Sequence, residues 1–137
     1  MMVATRINEW LDAWTVDPLL AKNAFINFYS WLKNEGMQFE FKERPGISFS
    51  LRAKHPQQQE RPLFVLIDVV DDEAEERWLS VCFYADMVKD DQELGDFVPN
   101  GLMGLDALCL NLEENDENMC KYIQERLAEA TSMAIKF

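Results

Sequence analysis

Histidine is almost missing from this chain: His55 is the only one in 137 residues. A metal site built on several imidazoles is therefore excluded, and a nucleophilic Ser or Cys would have a single candidate base, placed in a polar loop. Cysteine is sparse too. Cys82, Cys109 and Cys120 are odd in number and widely spaced, which predicts reduced, buried thiols rather than a disulfide framework. Only five Gly and five Pro occur, too few for a collagen-like or low-complexity chain. No apolar run approaches membrane-span length, and "MMVATRINEWLDAW" lacks a basic stretch leading into an apolar one. The expectation is a complete cytoplasmic protein. Glycine-rich phosphate loops and the patterns G-x-S-x-G, H-E-x-x-H and C-x-x-C are all absent, which leaves no motif that points to catalysis or a cofactor.

What is present is bulk and negative charge. Hydrophobic residues make up 48% of the chain, nine Phe and four Trp among them, enough for one real core. The net charge is −12, and its distribution is uneven: residues 1–67 carry +1 and residues 68–137 carry −13. Such a surface repels nucleic acid phosphates and anionic membranes. A basic protein partner fits it.

The residues 17–36, "DPLLAKNAFINFYSWLKNEG", read as a helix with Asp17 as N-cap, Pro18 in the first turn and Gly36 as its stop. Upstream, Ile7, Trp10, Leu11 and Trp14 recur at helical spacing within a short arm, residues 1–16, that either packs on the core or docks on a second subunit. After Gly36 the period changes to two. "MQFEFK" and "ISFSLRA", joined by "RPG", form a hairpin; "LFVLIDVV" and "WLSVCFY" are two further strands; "DALCLNLE" is a fifth. Between the last two, "ADMVKDDQELGDFVPNGLMGL" reads as an irregular crossover. Residues 115–137 read as a closing helix capped by Asn115 or Asp116. The pattern predicts one α+β domain over residues 17–137: an antiparallel sheet of about five strands with long N- and C-terminal helices on one face.

Within "DVVDDEAEE", Asp68, Asp71, Asp72, Glu73, Glu75 and Glu76 place six carboxylates in nine residues. A calcium loop would need a central Gly and a helix-loop-helix frame, both missing here. The expectation is a solvated turn between two strands. Asp68 stands apart because it interrupts an apolar run; it either faces water at a strand end or is buried with Arg52 or Arg77.

Trp78, Ser80, Cys82 and Tyr84, with Ser48, Ser50, Ala107 and Cys109, put small and aromatic side chains on the sheet face away from the helices. Such a face invites a cover. Phe97, Val98, Leu102 and Met103 add a second apolar group on the crossover. Trp78, Tyr84, Phe97, Val98, Leu102 and Met103 are therefore the candidate partner-binding residues.

With this element order, the chain resembles the small acidic domains of the type III secretion chaperone and YbjN-like fold over roughly residues 17–135. The resemblance rests on "DPLLAKNAFINFYSWLKNEG", the hairpin "FEFKERPGISFSL", the two strands around the acidic turn and the last helix. It implies a non-catalytic homodimer that binds another polypeptide in extended form. Two rivals stand beside it: a small-molecule-binding domain or minor enzyme using the Trp78/Tyr84 face, and an acidic inhibitor that mimics nucleic acid.

Overall fold

A computed structural model describes residues 2–137. The elements are α1 (Val3–Ala13), α2 (Ala21–Asn34), β1 (Gln38–Arg44), β2 (Ser48–Lys54), β3 (Val65–Val70), β4 (Trp78–Tyr84), β5 (Asp96–Leu102), β6 (Leu105–Leu112) and α3 (Glu117–Ala134), with a short 3₁₀ turn at Ala85–Met87. The strands make one antiparallel sheet in the order β1-β2-β3-β4-β6-β5. The fold is α+β, as the patterning predicts, but its sheet has six strands rather than about five.

The caps explain where the helices begin and end. Asp17 accepts from the backbone N–H groups of Ala21 (2.9 Å) and Lys22 (3.0 Å), so it does cap α2, although the regular helix starts at Ala21 rather than Pro18. At the other end Gly36 sits at φ +77°, and Met37 N–H reaches back to the Leu32 carbonyl at 3.2 Å. That left-handed residue and back-bond form a Schellman stop, which a β-carbon at position 36 would strain. Asp116 caps α3 by accepting from Met119 N–H at 3.0 Å.

One face of the sheet carries the core. Leu51, Ile67, Val81 and Leu110 stand opposite one another across four strands and are all fully buried. Trp10 of α1 meets the rings of Trp14, Phe25, Phe41 and Phe49 with centroids 5.1–5.3 Å apart, so the N-terminal arm packs on its own sheet. Arg6 of α1 also donates to the backbone carbonyl of Phe41, covering part of the β1 edge. Such a contact blunts an edge that would otherwise template pairing with another chain.

The crossover is the main departure from expectation. Residues 96–102 form the edge strand β5 and pair with β6, with an irregularity between Val98 and Leu102. Pro99 is tolerated because an edge strand leaves one side of its backbone unpaired, and Asn100 at φ 55° bends the strand. Met103 (φ 52°) and Gly104 (φ 82°) are the central pair of a two-residue turn into β6. Two positive φ values in succession mark a type I′ hairpin, whose twist matches its strands. Among the described residues no helix is long and apolar enough to cross a membrane.

Candidate protein-interaction site

The acidic connection between β3 and β4 is not uniformly solvated. Asp71 is only 5% exposed: Arg77 Nε donates to its Oδ1 at 2.6 Å and Gly46 N–H to its Oδ2 at 2.8 Å. The Arg77 guanidinium lies over the rings of Trp14 (5.5 Å) and Phe49 (5.0 Å). One carboxylate thus ties the β1–β2 turn to the β3–β4 turn, correcting the reading of the whole stretch as a hydrated loop. Its neighbours Asp72, Glu73, Glu75 and Glu76 are exposed. Glu73 holds its proton above the usual carboxylate range through a hydrogen bond with Glu76 and the nearby charges of Glu76 and Asp72.

Asp68 takes neither position expected of it. It lies inside β3, half-buried, and accepts the Ser50 hydroxyl proton rather than an arginine. Register explains the pairing, because Ser50, Asp68, Ser80 and Asn111 stand in one row on the face opposite the Leu51–Leu110 row. The next row places Cys82 directly opposite Cys109, where they form a disulfide with Cα atoms 4.1 Å apart. Two of the three cysteines are therefore paired, against the expectation of reduced thiols. Cys120 remains a free thiol whose pKa is pushed up by burial and by the charges of Asp116 and Glu117.

The six candidate binding residues separate into three environments. Trp78 is half-buried on the sheet face that carries Asp68 and Ser80. Tyr84 is buried (1% exposed) beneath Arg61, whose guanidinium stacks on Tyr84 at 4.7 Å and on Phe137 at 3.7 Å. Arg61 is held there by two hydrogen bonds to Asp86, at 2.6 and 2.7 Å, which keep the Asp86 pKa below the usual carboxylate value. Leu102 is buried as well (3% exposed), so Tyr84 and Leu102 offer a partner nothing.

Phe97, Val98 and Met103 are open to solvent, at 60%, 39% and 56% exposure, and Leu105 joins them at 43%. All four belong to the β5–β6 hairpin at the sheet edge. Leu105 escapes a sequence reading because only the type I′ turn shows that it follows the tip rather than starting the core of β6.

Acidic groups surround this hairpin, and several have structural duties. Asp90 accepts from Leu94 N–H (2.9 Å), Gly95 N–H (2.8 Å) and the Tyr122 hydroxyl (2.5 Å), holding the loop onto α3. Asp91 pairs with Arg126 at 3.2 Å. Glu93, Asp96 and Asp106 have no cationic partner among the described residues. The hairpin therefore carries Phe97 on the face of Leu108, Val98 and Leu105 on the opposite face and Met103 at the tip, with unneutralised carboxylates beside them. No family model matches this chain, and no curated protein or solved structure matches it.

Proposed function

We propose that this protein is a non-catalytic protein-binding module, chaperone-like or adaptor in role, that docks an apolar and basic polypeptide on the β5–β6 hairpin. The observation that carries this reading is the exposure of Phe97, Val98, Met103 and Leu105 on one hairpin, flanked by Glu93, Asp96 and Asp106.

Magnitudes set the kind of binding to expect. Phe97 and Leu105 stand on opposite faces of the hairpin, so an extended chain covers Met103 with one of them, contributing on the order of 2–3 kcal/mol. Alone, that is a dissociation constant on the order of 10 mM. Backbone pairing along β5 adds little beyond Asp96–Val98, because Pro99 lacks an N–H and the bulge follows. Electrostatic attraction then has to raise the association rate and select the partner. The test is fluorescence anisotropy with three extended peptides of equal apolar content, one basic, one neutral and one acidic. Tighter binding of the basic peptide, lost in Phe97→Asp, supports the proposal; equal affinities or an unaffected variant reject it. A cytoplasmic location belongs to the same proposal and requires the Cys82–Cys109 link to persist in a reducing compartment; cell fractionation with alkylation of free thiols checks both.

Self-association on the sheet face of Trp78 is a second reading. It is favoured by Trp78, Leu66 and Val70, half-buried apolar groups on the face that also carries Asp68 and Ser80. Light scattering at micromolar protein reads it directly: twice the chain mass, reverting toward the monomer in Trp78→Lys, is the result expected.

A further inference from the structure

At the end of the sheet distant from the acidic turn, the tip of the β5–β6 hairpin faces strands β1 and β2 across a cleft of about 320 Å³. Gln38, Glu40, Arg52 and Lys54 line it from the strands, Pro62 and Leu63 from the connection before β3, and Met103 from the tip. That volume suits a small ligand or one side chain with its backbone, and is too small for a dinucleotide.

Charge sets this cleft against the overall acidity of the chain. Arg52 and Lys54 bring two cations to it and Glu40 one anion, a local excess of positive charge in a chain of net −12. Neither cation is in an ion pair among the described residues, although Glu40 stands directly opposite Arg52 in the sheet. Arg52 Nε is moreover buried with no acceptor. The Arg52 side chain as a whole is half-buried, and a planar two-oxygen acceptor is what a guanidinium fork matches. Apolar groups line it as well, the buried Leu63 and the half-exposed Met103.

We propose that this cleft binds a carboxylate carried on a short apolar body, the carboxylate on Arg52 with Lys54 beside it and the apolar part between Leu63 and Met103. The site goes beyond the hairpin reading and does not depend on it. The carboxylate has two sources, a free short-chain acid or a chain terminus, and they share this chemistry. The competing Glu40 carboxylate sits on the same side and weakens the attraction, so its removal sharpens the site.

The experiment is a ¹H–¹⁵N correlation titration of the full chain at constant ionic strength. The probes are hexanoate against hexanamide, and N-acetyl-Leu-Leu as free acid against its amide. Saturable shifts of the Arg52 side-chain Nε–H, Leu63 and Met103 signals by an acid but not by its amide support the proposal; the tighter of the two acids assigns the source. Arg52→Gln should weaken binding about tenfold or more, the factor carried by a charge-assisted hydrogen bond, and Glu40→Gln should tighten it. Equal shifts from acids and amides overturn the proposal, as does the lack of saturation by about 10 mM, beyond the scale of a weak specific ligand. The acid–amide comparison on the unmodified chain decides the matter even where a variant fails to fold.

Discussion

Replacing Asp71 by Ala removes the carboxylate that joins two turns of the sheet. The variant leaves the Gly46 N–H and the Arg77 guanidinium without their acceptor, and Arg77 is only 14% exposed at its side chain. Deleting one member of a buried pair costs about 3–5 kcal/mol, chiefly through the charge left behind. Arg77 keeps some water and the faces of Trp14 and Phe49, so the lower end, about 3 kcal/mol, is the expectation. For a chain of this size the unfolding entropy is about 0.3 kcal/mol per degree, which turns that loss into a Tm decrease of about 10 °C. Thermal unfolding followed by circular dichroism reads it. Glu75→Ala, an exposed member of the same acidic run, should move Tm by less than about 2 °C. Asp71→Ala combined with Arg77→Met should cost less than Asp71→Ala alone, because the stranded cation is gone. A loss below about 1 kcal/mol for Asp71→Ala would refute the reasoning, since exposed ion pairs already reach that figure.

Met103→Asn puts Asn-Gly at the hairpin tip; it should stabilise the fold by about 1 kcal/mol by removing left-handed strain while weakening the basic peptide, and unchanged stability with unchanged binding contradicts both halves. The Cys82–Cys109 link closes a sequence separation of 27 residues, so reduction should lower stability by about 3 kcal/mol in denaturant unfolding. Alkylation and intact-mass measurement before reduction would count against the pairing if all three thiols were modified. Asp86 has a folded pKa depressed by Arg61, so its contribution is fully present above the ordinary carboxylate pKa and disappears as pH falls through the folded value. Wild type should therefore exceed Asp86→Asn in stability from neutral pH down to about pH 4, with the gap closing below that. The gap is at most about 1 kcal/mol because the Asp86 side chain is more than half exposed; a gap that widens on acidification argues against the pair.

Local chemistry made much of this fold legible. Asp17 and Gly36 bracket a helix because a carboxylate satisfies free N–H groups and a glycine accepts φ +77°, and both act within their own few residues. The alternation of Phe39 and Phe41 with Glu40 and Lys42, and of Leu79, Val81 and Phe83 with their neighbours, likewise sorts faces without knowledge of the partners. β5 was hidden because Pro99, Gly101 and the left-handed Asn100 erase the two-residue period that marks a strand. Its pairing with β6 supplies the order that its own composition does not.

Contacts between distant segments account for the remaining differences. Asp71 reads as one acid in a run of acids until Gly46, 25 residues away, arrives to share it. Tyr84 reads as an open aromatic until Arg61 and Phe137 cover it. Cys82 and Cys109 become a pair only when the register sets them opposite one another. At the candidate site, the exposure of Phe97, Val98 and Met103 was readable as apolar residues in a Gly- and Pro-bearing stretch. The burial of Leu102 beside them was not, since it depends on where the two-residue turn falls.

The claim that the hairpin is the docking surface is tested most directly by site-specific photocrosslinking in the producing cell. A benzophenone-bearing residue is placed in turn at Phe97, at Met103 and at Lys42, an exposed position on the opposite edge strand. Discrete adducts with the same polypeptide at positions 97 and 103, mapped by mass spectrometry to a basic and apolar segment and absent at position 42, are the predicted result. Adducts that are equally abundant at position 42, or that map to acidic segments, would contradict it.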